Sequence, residues 1–215
     1  VMNLLTRLGL AASALVLAAC SQPVAAEEAS ASTTSAASVA ASGPAYVDFT
    51  LTDLDGNDHT LSEYLENGHT VVLEWFNPEC PVTRAYHTPE RKMAATFGAI
   101  AADDITWLAI NSGAPGKQGH GLEKNQNAHA AWSVPYPILL DESGEVGRAD
   151  DAKTTPHMFV IAPNGVIAYQ GGIDDSKSGD GSLNYVAATL SDLRAGREVQ
   201  QSMTKPFGCS VKYGN

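Results

Sequence analysis

Basic residues are scarce in this chain. Thirteen Lys and Arg stand against 24 Asp and Glu, a formal net charge of -11. The positive footprint of a nucleic-acid binder is therefore missing, and the excess of acid bears mainly on solubility. Cysteine is scarcer still. There are three, Cys20, Cys80 and Cys209, and Cys80 has no second cysteine near it in sequence, which argues against a soft-metal site built on paired thiolates. His120 and His129 follow neither a Cys-rich nor a His-x-x-x-His pattern, so solvated histidines are expected there and no metal. The apolar run Leu8 to Ala19 is too short to cross a hydrocarbon layer of roughly 30 Å as a helix. No internal repeat is visible.

What the first residues do contain is the pattern of an export signal. Met2 to Arg7 is short and weakly basic, Leu8 to Ala19 is apolar, and Leu17-Ala18-Ala19-Cys20 offers small residues before a cleavable bond. That tetrapeptide resembles the bacterial lipobox, which implies lipidation of Cys20 and removal of residues 1–20. An ordinary signal peptide with an incidental cysteine is the alternative. Ser21, not Asp, follows the cysteine, which in Gram-negative lipoproteins would favour the outer membrane. Residues 21–44 are almost entirely Ala, Ser, Thr, Val and Glu with no aromatic residue. Such a stretch buries too little apolar surface to offset the entropy of ordering, and is expected to be a flexible tether. The expected location is thus outside the cytoplasm, periplasmic or facing the cell envelope, with membrane contact through the lipid alone.

Residues 45–215 have the length of one domain with a single core. Tyr46 to Leu51 alternates and runs into Asp55-Gly56-Asn57-Asp58, a hairpin signal leading to His59 to Leu61. A short helix follows at Ser62 to Leu65. Thr70 to Phe76 is nearly continuous in apolar residues and broken only by Glu74, as expected of a strand buried on both faces. A helix is expected from Cys80 to about Phe97, interrupted by Pro89. Further strands are expected at Ile105 to Ile110 and Ile138 to Leu140, separated by a Gly-rich loop at 114–121 and a helix at Leu122 to Trp132. Met158 to Ala162 and Val166 to Tyr169 flank a Pro-Asn-Gly turn, and Leu183 to Leu193 closes the domain as a helix. This alternation argues for an α/β sandwich around a mixed sheet.

Cys80 then falls where a strand hands over to a helix. Unpaired amides and the positive end of a helix dipole favour thiolate at such a position, and thiolate is the reactive form of cysteine. A small buried cysteine is the alternative, but the polar, proline-flanked setting suits a surface turn. Cys80 and Cys209 also form an even pair in an exported domain, a candidate disulfide if their Cα atoms come within about 7 Å.

Four segments carry a family resemblance: Phe76-Asn77-Pro78-Glu79-Cys80-Pro81-Val82, Thr154-Thr155-Pro156-His157-Met158-Phe159-Val160, Gly172-Ile173-Asp174-Asp175, and Thr204 through Tyr213 with Phe207-Gly208-Cys209 at its centre. In this order they resemble the thioredoxin fold. More narrowly, they resemble redoxins of the alkyl hydroperoxide reductase and thiol-specific antioxidant group, in a peroxiredoxin-like branch, over essentially all of residues 45–215. The resemblance implies that Pro156 is cis and faces Cys80, with the backbone at Thr155 free to hold an extended substrate or partner chain. It matches Glu74 to a buried acid that relays a proton to or from the sulfur, although a half-solvated Glu on a strand face fits the local sequence equally well. It makes Cys209 the candidate that resolves an oxidised Cys80, against a purely structural role for that cysteine.

The departures are informative. The second cysteine of a Cys-x-x-Cys pair would fall at Thr83, or the first at Asn77, so no local dithiol exists. Peroxiredoxins place Thr or Ser three residues before the cysteine and Pro seven before, where this chain has Asn77 and Leu73. Asn77 is the substitute hydrogen-bond donor for a slower one-cysteine reaction. Arg84 either lowers the thiol pKa or points to water. The expected activity is attack of Cys80 on a peroxide or a protein disulfide, with an unidentified thiol as electron donor and no organic cofactor. Asn77, Thr83, Thr155 and Pro156 would shape the substrate site. A redox-inactive binding protein of the same fold, and a copper chaperone using His87, His120, His129 or His157, are the competing readings.

Overall fold

The computed structural model describes residues 41–88, 92–177 and 180–215. The expected signal segment, Cys20, most of the tether and Pro89 lie outside the described residues. In chain order the elements are β1 Thr50–Asp53, β2 Asp58–Thr60, α1 Leu61–Glu66, β3 Thr70–Trp75, α2 Pro81–His87, α3 Lys92–Ile100, β4 Ile105–Asn111, α4 Leu122–Trp132, β5 Ile138–Leu140, α5 Glu145–Ala149, β6 Thr154–Thr155, β7 Met158–Ile161, β8 Ile167–Gly171, α6 Tyr185–Arg194 and β9 Cys209–Ser210.

Seven strands form one mixed sheet in the order β2-β1-β5-β4-β3-β7-β8. β3, β4 and β5 run parallel, while β1, β2, β7 and β8 join antiparallel. β3 lies inside the sheet because all but the first residue of Thr-Val-Val-Leu-Glu-Trp is buried, and its branched side chains suit a pleat covered on both faces. Alternation along β3 then divides the core. Val72 and Phe76 pack with Tyr86, Met93, Trp132, Val186 and Leu190 on one face, while Val71, Leu73 and Trp75 pack with Leu61, Leu65, Ile110 and Phe159 on the other. Glu74 shares the parity of Val72 and Phe76, so the period of two sends a carboxylate into the helix-covered core.

Most expected elements are present, including a break in the helix that follows Cys80, with two differences. The first strand begins at Thr50, not Tyr46. Tyr46 instead donates its N–H to Gly165 O (3.2 Å), beyond the hairpin register. The helix expected from Cys80 to Phe97 is two helices. Thr88, the residue before Pro89, is extended (φ -146°, ψ 151°), as steric conflict with a following proline ring requires. Helix α5 and the pair β6 and β9 were not signalled. β9 is a two-residue strand with no alternation to read, and its partner lies more than fifty residues earlier. Among the described residues, no helix is long and apolar enough to cross a membrane.

Candidate active site

β3 delivers Cys80 to the end of the sheet where the carboxyl ends of the parallel strands meet, the usual place for a site in such folds. The turn between strand and helix is built by Asn77. Its Oδ1 accepts from Glu79 N (2.9 Å) and its backbone carbonyl accepts from Cys80 N (3.1 Å). Cys80 is the extended residue just ahead of α2, followed by Pro81 in the first turn, where a missing N–H costs nothing.

The Gly-rich loop packs against this turn. Asn77 Nδ2 donates to Gln118 O (3.4 Å), Gly119 N donates to Glu79 Oε2 (2.6 Å), and Lys124 Nζ meets the same oxygen at 2.7 Å. Gly119 has φ +86°, and a Cβ there would fall 2.7 Å from Asn77 Cγ, so glycine is required by both conformation and space. The Asn77 amide, expected as a donor to substrate, is thus engaged in holding loop to turn. Glu79, Gln118 and Lys124 carried no sequence signal as site residues, since their role depends on a loop that folds back from about forty residues away.

Two departures from expectation concern Cys80 and Thr155. Cys80 occupies a turn as expected, but it is wholly buried (0% exposed). The cover is the chain's own C-terminal segment. β9 pairs antiparallel with β6, with Cys209 opposite Thr155 and Ser210 opposite Thr154. The Thr155 backbone that was expected to be free is therefore taken by the chain itself.

This pairing sets the sulfurs of Cys80 and Cys209 2.7 Å apart, across 129 residues of sequence, with the Cys80 sulfur also 3.1 Å from Thr155 O. Both cysteines are free thiols. The Thr155–Pro156 peptide is cis. The hydroxyls of Thr83 and Thr155 are buried and have no hydrogen-bond partner among the described oxygen and nitrogen atoms.

The electrostatics separate the two thiols. Burial raises the Cys80 pKa, but hydrogen bonding from the Cys209 thiol, the Thr83 backbone, the Thr155 side chain and the Cys209 backbone outweighs it, lowering the value from 9.0 to about 7. Cys209 moves the other way, to about 11, because burial, its bond to Cys80 and the Cys80 charge all disfavour a second thiolate. Arg84 takes no part. It is exposed and its guanidinium lies 5.9 Å from the centre of the Trp132 ring.

Glu74 is buried and fully engaged. Its Oε1 meets His87 Nε2 at 2.9 Å, and its Oε2 accepts from the Tyr136 hydroxyl at 2.7 Å. Burial and the Glu74 charge push the Tyr136 pKa well up, which keeps that phenol a donor. No hydrogen bond joins Glu74 to Cys80 among the described residues. His87 is stacked on Trp132 and edge-on to Phe76. His157 is buried against Phe159 with its pKa lowered to about 4, first by burial. His120 pairs with Glu142. Among the described residues no three His, Cys, Asp or Glu side chains stand close enough to hold a metal.

These features define a thioredoxin-like α/β fold with a cysteine at a strand-to-helix junction facing a cis proline. The AhpC/TSA family model matches residues 43–170, more than half of the chain, and the protein belongs to that family. Among curated proteins it is 28% identical over 123 residues to thiol-disulfide oxidoreductase ResA from Geobacillus kaustophilus, an alignment covering 56% of this chain and 63% of ResA. The chain thus spans less than two thirds of that relative. An uncharacterised conserved protein from Geobacillus kaustophilus superposes with a TM-score of 0.67 at 25% identity, covering 80% of this chain and 92% of the other. Peroxidoxin BcpB from Mycobacterium tuberculosis superposes with a TM-score of 0.51 at 21% identity, over 71% and 96% of the two chains, a likeness of fold.

Proposed function

We propose that this protein is a thiol-dependent oxidoreductase in which Cys80 attacks an oxidant and Cys209 resolves the product. The observation that carries the reading is the contact of the two sulfurs, 2.7 Å apart, with Cys80 brought to about 7 and Cys209 raised to about 11. Near neutral pH a large fraction of Cys80 is thiolate while Cys209 holds its proton. That is the division a nucleophile and a resolving thiol require.

With a peroxide as oxidant, the Cys80 thiolate attacks the terminal oxygen and the O–O bond breaks. The products are a Cys80 sulfenic acid and an alcohol or water, once the leaving oxyanion takes a proton. Cys209 sulfur then displaces hydroxide from the sulfenic sulfur, the thiol proton completes a water, and a Cys80–Cys209 disulfide remains. An external thiol returns both cysteines to the reduced state. The hydroxyl of Thr83, buried without a hydrogen-bond partner among the described residues, is suited to hold a peroxide oxygen in place of the missing Thr or Ser at position 77. Thr155 and Pro156 form the wall opposite the sulfur.

Glu74 is proposed to assist proton transfer only indirectly, since both its oxygens are occupied by His87 and Tyr136. Export and lipid anchoring at Cys20 are likewise proposed, on the composition of residues 1–20.

Intact-protein mass spectrometry after rapid alkylation tests the cycle. Hydrogen peroxide should remove two protons from the reduced protein, and either Cys80→Ser or Cys209→Ser should abolish that loss. Two thiols that stay free under peroxide would instead support a binding protein without redox turnover.

A further inference from the structure

Resting on Cys80 as the nucleophile, we propose that the C-terminal segment occupies the strand edge an extended substrate would need, so that the site admits small oxidants and excludes protein disulfides while the segment is docked. Gly208 and the pairing of Cys209 with Thr155 would be the determinants of that specificity.

The backbone nearest the Cys80 sulfur is β6, whose Thr155 carbonyl lies 3.1 Å away. An outside chain delivering a disulfide to a buried thiol gains its main-chain hydrogen bonds by adding to such an edge. Here the edge is filled from within, residue for residue, by Cys209 and Ser210. The fit is tight. A Cβ at Gly208 would fall 2.6 Å from Thr155 C and 3.1 Å from Pro156 N, closer still to Thr155 O. No larger residue approaches that peptide without moving the strand.

The segment is also fastened at both ends, away from the thiols. Upstream, Gln170 N donates to Ser202 O (3.0 Å), Thr204 N donates to Gln170 O (3.0 Å), and Thr204 Oγ1 lies 2.6 Å from the Tyr169 hydroxyl. Downstream, Val211 N donates to Lys153 O (3.1 Å), the Tyr213 hydroxyl donates to Ala152 O (2.8 Å), and Arg148 Nη2 donates to Gly214 O (2.7 Å). A frayed tail would not be held by main-chain bonds on both sides of its cysteine. Hydrogen peroxide has only two heavy atoms and makes no strand pairing, so displacement of the Cys209 side chain would admit it. An extended chain needs the whole β6–β9 pairing released. A strap of this kind also keeps the resolving thiol at hand for the sulfenic acid.

The test uses the full chain, reduced, with two probes: hydrogen peroxide, and an extended peptide carrying a cysteine–thionitrobenzoate mixed disulfide that releases a coloured thiolate on attack. In Gly208→Ala the ratio of the peptide rate to the peroxide rate should rise about tenfold, the effect expected of losing one or two net hydrogen bonds. Tyr213→Phe, which removes one distant fastening and leaves the site intact, should raise the same ratio by about threefold, and it serves if the glycine variant does not fold. Unchanged ratios in the variant that folds, with a normal peroxide reaction, would overturn the strap while leaving the redox reading standing. Failure of both probes to react at Cys80 in the unmodified chain would overturn the redox reading itself.

Discussion

At the scale of single residues, the site depends on one thiolate and the donors around it. Thr155→Val keeps the shape of the side chain but removes a hydroxyl that favours Cys80 thiolate, so the Cys80 pKa should rise. The reaction with hydrogen peroxide should slow at pH 7 by about threefold, because loss of one hydrogen bond of ~1 kcal/mol lowers the thiolate fraction from about a half to about a sixth. In the unmodified protein the same rate should climb with pH and level off above about 7, because only thiolate reacts and its fraction saturates above the pKa. A profile that keeps rising to pH 9 would show that Cys80 is an ordinary thiol. Burial of this sulfur was not legible in the sequence. Asn77-Pro78-Glu79 does form a turn, but the Gly-rich loop packs on it and the distant Cys209 strand pairs beside it, which makes an interior of a turn that reads as surface.

At the scale of elements, β3 and α2 are joined by the buried set of Glu74, His87 and Tyr136. Tyr136→Phe should destabilise the fold by about 2 kcal/mol, since one oxygen of a buried acid then loses its donor. Urea unfolding measures this, and a midpoint unchanged from the parent would show that water replaces the phenol. The resemblance matched Glu74, six residues before Cys80, to a buried acid, while the local sequence allowed a half-solvated strand face equally well. Its partners were not legible, because His87 lies one helix away and Tyr136 precedes β5, and neither spacing follows a local period. The same holds for Gly119. A glycine-rich loop is visible in the sequence, but that it must pass against Asn77 depends on where α4 packs.

At the scale of the whole molecule, oxidation should alter stability. A Cys80–Cys209 bond would close a loop of 129 residues, and constraining the unfolded chain to that extent should stabilise the oxidised form by about 2–4 kcal/mol. Thermal unfolding with and without reductant would reveal it, and equal midpoints would argue that the bond strains the fold. Asp150 gives a second test. Burial raises its pKa to about 6, opposed by a backbone bond from Val47 and supported by the Asp141 charge. A native pKa above the unfolded value means that stability falls as pH rises from about 4 to about 6, and the penalty is complete at neutral pH. Asp150→Asn should therefore raise stability at pH 7.5 by about 2 kcal/mol and change little at pH 3.5, as read from urea midpoints at the two pH values.

Local patterns along the chain set the order of most strands and helices, the burial of β3 and the placing of a cysteine ahead of α2. These follow from local periodicities of two and 3.6 and from punctuation by proline and glycine, which are short-range physics. The meeting of Cys209 with Cys80, the pairing of Thr155 and the choice of His87 and Tyr136 as partners for Glu74 come from long-range packing. Each of those contacts joins segments distant along the chain. Their geometry is set by how the sheet and helices pack, and no local pattern encodes the distance between them.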